Sequence, residues 1–187
     1  MQCAVDTIAD LGYARASLAE IAKRAGISKS VISYYFAGKD ELIAQVVAEV
    51  FAAGAAFMLP RIRAESTASA MLRAYIESNL AFMRDHSAQM LAMVQISSGV
   101  NTAGGLPGFG PSAAHQRLAD LGQLLRWGQE RGEFRAFDVR VMATAILSVI
   151  DGIPPQMADT PNLDLDAYAR ELVALFGRAT RSNVSGP

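Results

Sequence analysis

The stretch from Ser17 to Lys39, SLAEIAKRAGISKSVISYYFAGK, constrains the fold more than any other part of the chain. Ser17 is placed to N-cap a helix, and Glu20, three residues on, completes a capping box. Leu18, Ile21, Ala22 and Ala25 recur at helical spacing and predict one apolar face. Gly26 suits the left-handed position at which a helix ends. Ser28 is placed to cap a second helix, whose expected buried side is Ile32, Tyr35 and Phe36. Lys29, Ser30, Ser33 and Tyr34 then face outward. Helix, glycine turn and helix, with a small polar and basic exposed face, is the arrangement that lays its second helix in the major groove of DNA.

Charge distribution supports that expectation where net charge does not. The chain of 187 residues carries a formal charge of −1. All three lysines, Lys23, Lys29 and Lys39, fall inside the opening motif. Between Tyr13 and Lys39 there are five basic residues and one acidic, which leaves 12 basic and 17 acidic residues elsewhere. A basic head on an acidic body is the footprint of a DNA-binding domain joined to one that does not bind DNA.

The run SLAEIAKRAGISKSVISYYFAGKDEL, Ser17 to Leu42, resembles the TetR family of transcriptional regulators without a gap. The likeness includes the Ala25-Gly26-Ile27-Ser28 turn, the Tyr35-Phe36 pair and the Gly38-Lys39 entry to the next helix. It covers about the first quarter of the chain. The remainder is similar in length and helical character. Ser33 departs from the pattern, where a tyrosine is common. The resemblance implies an all-α fold: an N-terminal three-helix helix-turn-helix head and a larger helical ligand-binding and dimerisation body, about nine helices together. It also implies a basic arm ahead of the first helix. The sequence starts within or near that helix, and no arm residue enters the expected contacts.

In order, Met1 to Leu11 is expected as a helix ended by Gly12. A fourth helix is expected from Lys39 to about Leu59, interrupted by Pro60 because proline lacks an amide hydrogen. The domain boundary is placed along it: residues 1–45 as the DNA-binding domain and 46–187 as the ligand-binding and dimerisation domain. Further helices are expected over about 67–84, 88–97 and 112–131. The stretch 98–111, SGVNTAGGLPGFGP, is too rich in glycine and proline for a stable helix. An eighth helix over about 139–153 is nearly all apolar, ended by Pro154-Pro155, with 156–164 as a loop. A ninth follows from Asp166 to about Ala179.

For DNA, the expected contacts are Ser17, Lys29, Ser30, Val31, Ser33, Tyr34 and Lys39. Ser17 can hold a phosphate at a helix N-terminus, and Lys39 and Tyr34 can reach phosphates. Lys29 can read guanine O6 and N7, and Val31 can pack on a thymine methyl. Helix capping accounts equally well for Ser17 and Ser28. In the body, Phe51, Met58, Tyr75, Phe82, Met90, Met93, Phe109 and Trp127 are candidates to line an apolar ligand cavity, since methionine adapts to varied shapes. The same spacing also fits plain core. The resemblance implies that a ligand among helices four to eight shifts the fourth helix and changes the spacing of two heads. It also implies a homodimer through the last two helices, with Val141, Ala145, Ser148, Val149, Leu172, Leu175 and Phe176 as interface candidates.

The expected partners are therefore a palindromic double-stranded operator, a second copy of the chain and an unidentified small-molecule effector. No cofactor, metal, catalytic residue or membrane partner is expected. The two histidines, His86 and His115, sit in no metal-spacing motif. Ser97-Ser98-Gly99 is not a nucleophile elbow, and residues 104–110 lack the ending of a phosphate loop. One cysteine, Cys3, cannot form an intramolecular disulfide, which fits a reducing cytoplasm. No apolar run is expected to reach the length of a membrane span. The function so implied is a homodimeric repressor relieved by a small apolar or amphipathic ligand. The alternative is a helical ligand- or protein-binding dimer that no longer reads DNA.

Overall fold

The structure is a computed structural model that describes residues 1–99, 111–160 and 162–182. Ten helical segments run through them: α1 (Gln2–Arg15), α2 (Leu18–Ala25), α3 (Lys29–Tyr35), α4 (Lys39–Arg63), α5 (Ala68–Asp85), α6 (Ser87–Gly99), α7 (Pro111–Glu130), α8 (Val139–Asp151), α9 (Ile153–Asp159) and α10 (Leu165–Thr180). Among the described residues there is no strand, and one isolated bridge pairs Phe134 with Arg181. The all-α expectation is met.

The helices pack as two compact units. The first gathers α1 to α3, α4 as far as Ala53, and α6; the second holds α4 from Gly54, α5, and α7 to α10.

In the first unit, Val5 and Ile8 of α1, Ile21 and Ala22 of α2, and Ile32 of α3 meet Leu42, Ile43, Val46 and Val47 of α4 and Ala92 and Ile96 of α6 in one buried cluster. Each fully buried Ile, Leu or Val contributes roughly 1.5–3 kcal/mol over leaving it in water. Gly12 breaks the regularity of α1 at φ 78°, ψ 160°. Side-chain-bearing residues rarely take such a backbone, which is why a glycine stands where the first helix was expected to stop. A buried hydroxyl of this unit, on Thr7, donates to the Cys3 carbonyl at 2.6 Å.

In the second unit α5 packs on α10 and α8. Leu72, Ile76, Leu80 and Phe82 of α5, Leu121 and Leu125 of α7, Ile146 and Ile150 of α8, and Leu172 and Phe176 of α10 are all buried. Arg135, between α7 and α8, ties the end of α10 down: its amide donates to Thr180 O at 2.9 Å and its Nε to Ala179 O at 2.8 Å.

Three expectations are corrected. Pro60 does not interrupt α4, which continues to Arg63. The proline falls in the final turn, where the Arg61 guanidinium donates to the Phe57 carbonyl and stacks over its ring at 3.7 Å. Pro154 and Pro155 do not end the eighth helix. Gly152 follows its last residue, and the prolines begin α9, in the first turn where no amide hydrogen is needed. Finally, two stretches, Lys39–Arg63 and Val139–Asp159, do reach the length and mean hydropathy of a membrane span. The first of these contributes Leu42, Ile43, Val46 and Val47 to the core of the first unit. The second is broken at Gly152.

Candidate nucleic-acid interface

The site is built by two short helices and the turn between them. Ser17 caps α2, its Oγ accepting from the Glu20 amide at 3.2 Å. The Ser17 amide donates to Arg15 O at 2.8 Å, so the reciprocal half of the expected capping box does not form. Gly26 closes α2 at φ 68°, ψ 24°, and the Ile27 amide returns to Ala22 O at 3.0 Å. Ser28 then caps α3: its Oγ accepts from the Val31 amide at 3.4 Å and pairs with the Ser30 hydroxyl at 2.8 Å. Caps of this type are each worth about 1 kcal/mol. Here they fix where α3 begins, and hence which side chains it turns outward.

α3 has seven residues and buries one of them, Ile32. Lys29, Ser30, Val31, Ser33 and Tyr34 are exposed, Tyr34 to 82%. Tyr35, expected in the core, is 69% exposed and meets Tyr34 edge-on with ring centroids 5.2 Å apart. The helix ends there. Phe36 is extended at φ −132°, and leaving the helix is what turns its ring inward onto the core cluster. Ala25, expected on the apolar face of α2, is exposed as well. Ser30, Val31, Tyr34 and Tyr35 together line a shallow, open depression of about 310 Å³. Tyr35 is thus a residue of the exposed face that periodicity alone assigned to the interior.

Lys39, at the first turn of α4, is half-buried rather than free. Its Nζ donates to the Tyr13 carbonyl and lies 4.0 Å from the centroid of the Tyr13 ring. Burial lowers its pKa from the ordinary lysine value, opposed by the neighbouring Asp40 carboxylate. Arg24 of α2 is held by Asp10 of α1 at 2.6 Å. Lys23 and Lys29 point into solvent. The expected DNA contacts therefore fall on one small motif, with Lys39 anchored beside it.

The candidate ligand residues do not gather in one packing unit. Phe51, Met90 and Met93 belong to the first; Met58, Tyr75, Phe82 and Trp127 belong to the second. Phe82 and Met90 are buried, Met58, Tyr75, Met93 and Trp127 half-buried, and Phe51 exposed. Phe109 lies outside the described residues. In the second unit Arg117 is fixed by Asp151 through two contacts at 2.7 and 3.2 Å. Burial pushes the Tyr75 phenol upward. A surface cleft of about 430 Å³ in the same unit is lined by Arg61, Glu65, Ala74, Glu77, Ser78 and Ala81, none of them among the expected ligand residues.

Of the interface candidates, Val141, Ala145, Ser148, Val149 and Leu175 are exposed, whereas Leu172 and Phe176 are buried within the subunit. α8 is accordingly two-faced: Ala143, Ile146, Leu147 and Ile150 point inward while Val141 remains 67% exposed. Among the described residues no group of three or more His, Cys, Asp or Glu side chains is placed to hold a metal.

A capped helix-turn-helix with a polar and basic outer face, carried on an all-α chain, defines a DNA-binding protein of the helix-turn-helix class. Comparison with known proteins names the group. The description "bacterial regulatory proteins, tetR family" matches residues 2–46. The HTH-type transcriptional regulator BetI of Cronobacter sakazakii is 30% identical over 161 residues, covering 80% of this chain and 72% of that protein. The chain belongs to the TetR family of transcriptional regulators. Solved structures show the same fold. The fatty acid degradation regulator FadR of Bacillus halodurans superposes with a TM-score of 0.82 at 20% identity, over 96% of this chain and 97% of that one. FadR of Bacillus subtilis, solved with stearoyl-CoA, gives 0.80 at 21%, over 94% of each. The protein is a DNA-binding transcriptional regulator.

Proposed function

We propose that the protein is a homodimeric repressor that binds a palindromic operator and leaves it when a small apolar or amphipathic molecule binds its body. The observation that carries the DNA half is α3 itself: Ser28 fixes its start, Ile32 anchors it, and Lys29, Ser30, Val31, Ser33 and Tyr34 are left outward. Lys29 and Val31, on the first turn, read base edges. Ser17, Tyr34 and Lys39 hold phosphates, and the shorter Ser33 either loses its contact or makes it through water. Tyr35 joins this face.

The dimer half is supported by the apolar residues that α8 and α10 leave outward, Val141, Val149 and Leu175 among them. Supporting the effector is the relative solved with stearoyl-CoA, which makes acyl-coenzyme A thioesters the first class to test. We place the protein in the cytoplasm with its operator and assign it no catalytic role.

A gel-shift on the DNA upstream of its own gene tests the reading. Selective binding is expected, weakening steeply as salt rises. Absence of sequence-selective, salt-sensitive binding there and at a selected palindrome would favour a dimer that no longer reads DNA.

A further inference from the structure

We propose that Tyr13 is a positioning residue for the phosphate-binding ammonium of Lys39, and that Gly99, the last residue of α6, sets where Tyr13 stands. The inference rests on the assignment of Lys39 as a phosphate contact.

Three observations within the first unit carry it. Lys39 is held twice by one residue: its Nζ donates to the Tyr13 carbonyl, and the ring of Tyr13 lies 4.0 Å beneath it. An ammonium has three donors. The carbonyl takes one and the ring face at most one more, so a donor stays available to a phosphate. A lysine held this way presents its charge from one place, instead of sampling the many rotamers of a free stem. The second observation concerns the same side chain. A Cβ built on Gly99 would come 2.5 Å from Tyr13 Cδ1 and 2.7 Å from its Cβ and Cγ. The last two are not the tip of a mobile side chain. Rotating the ring does not move Cβ, so one of the two backbones must give; on this proposal the Tyr13 backbone does, and the carbonyl holding Lys39 shifts with it. Thirdly, Tyr13 follows Gly12, whose left-handed backbone places this short end of α1 out of line with the helix before it. Gly12 is itself close to α6, where a Cβ would lie 3.2 Å from Gln95 Oε1. The end of α6 therefore bears on the Gly12-Tyr13 corner, and that corner holds Lys39. The Tyr13 hydroxyl adds a weak contact to Asp40 at 3.4 Å.

The test is a double-mutant cycle on operator binding, read as affinity and as the dependence of log K on log salt. Lys39→Gln alone tests the underlying assignment: the slope should fall by about 0.9 per subunit, because one phosphate is no longer neutralised. An unchanged slope would overturn that assignment and the role of Tyr13 with it. Where the slope does fall, Gly99→Ala should lower it by the same amount in the otherwise native protein. In the Lys39→Gln background it should have no further effect. Additive effects, or a Gly99→Ala protein with the native slope, overturn the positioning role while leaving the Lys39 assignment intact. Tyr13→Leu removes the ring face without crowding Gly99, and covers the case in which Gly99→Ala does not fold. It should reproduce the slope of Lys39→Gln, and a native slope overturns the proposal. Tyr13→Phe keeps the ring and the carbonyl and should bind as the native protein does.

Discussion

Ser17 has one duty seen in the structure and one proposed, and one substitution can separate them. Its hydroxyl accepts from the Glu20 amide, and the same helix end is proposed to hold a phosphate. Alanine removes both at once. Aspartate is as good a cap as serine but brings a negative charge to a polyanion. Ser17→Asp is therefore expected to keep the native melting temperature within a few degrees and to abolish operator binding. Ser17→Ala should reduce stability by about 1 kcal/mol, with a smaller drop in affinity. Native affinity in Ser17→Asp, measured by fluorescence anisotropy, would show that capping is the whole role. Lys29 is proposed to make a different kind of contact. Lys29→Ala should change which bases are preferred in a selection experiment, since reading guanine is worth about 1–3 kcal/mol of discrimination. An unchanged preference would remove it from the groove. The outward position of Lys29 was legible in the sequence because the Ser28 cap fixes the start of α3, and the first turn follows from the start. Tyr35 was not. The i, i+3, i+4 pattern that put it beside Ile32 assumes a helix that continues, and α3 stops at Tyr35 itself.

At the scale of elements, the helix end that the sequence located best, that of α2, is one with a stereochemical reason. Gly26 stands at φ 68°, with open space around a would-be Cβ. Packing thus does not forbid a side chain there, but the backbone does. Gly26→Ala should cost roughly 1–2 kcal/mol from left-handed strain alone, read by thermal denaturation with the DNA contacts untouched. A cost near zero would mean that the turn relaxes into another conformation. The ends that were misplaced, Leu59 and Ile153, are both beside prolines. Proline is disfavoured in a helix interior yet tolerated in the last turn of α4 and favoured in the first turn of α9, so its presence alone marks the neighbourhood of a boundary without fixing the residue. The start of α5 rests on a contact no local pattern announces. Glu133 accepts from the Ser69 amide at 3.0 Å across 64 residues of chain. Burial raises its pKa, but the bonds from the Ser69 and Ala68 amides and from Arg131 outweigh that and lower it overall. A carboxyl with a depressed folded value stabilises above its unfolded value, and that stability is lost as pH falls through the folded one. Melting temperature should thus fall more steeply on acidification in the native protein than in Glu133→Gln, which has no charge to lose. Parallel curves would remove the carboxylate from the account.

For the whole molecule the question is what covers the outer face of α8 and α10. Val141 is 67% exposed, Leu175 54% and Val149 39%. The sequence made α8 look too apolar to meet water, and packing in one subunit relieves this on one side only, through Ala143, Ile146, Leu147 and Ile150. A second copy set on the remaining side would remove the rest of the problem, and a lasting dimer needs about 1,000 Å² or more of such contact. Leu175→Glu tests this with little risk to the fold, because the side chain is already outward. The buried neighbours Leu172 and Phe176 offer no such test, since truncating them would open the subunit core. The variant should sediment as a monomer with native helicity. It should also bind a full operator about 10²–10⁴-fold more weakly, because two linked heads gain that much from effective concentration. Its affinity for a single half-site should not change. Those two binding results must appear together. Weak binding to the half-site as well would mean that the substitution had damaged the head, and a native dimer with native affinity would place the interface elsewhere. Ser17→Asp supplies the reverse case, an intact dimer without operator binding, so assembly and recognition fail independently if the two duties are divided as proposed.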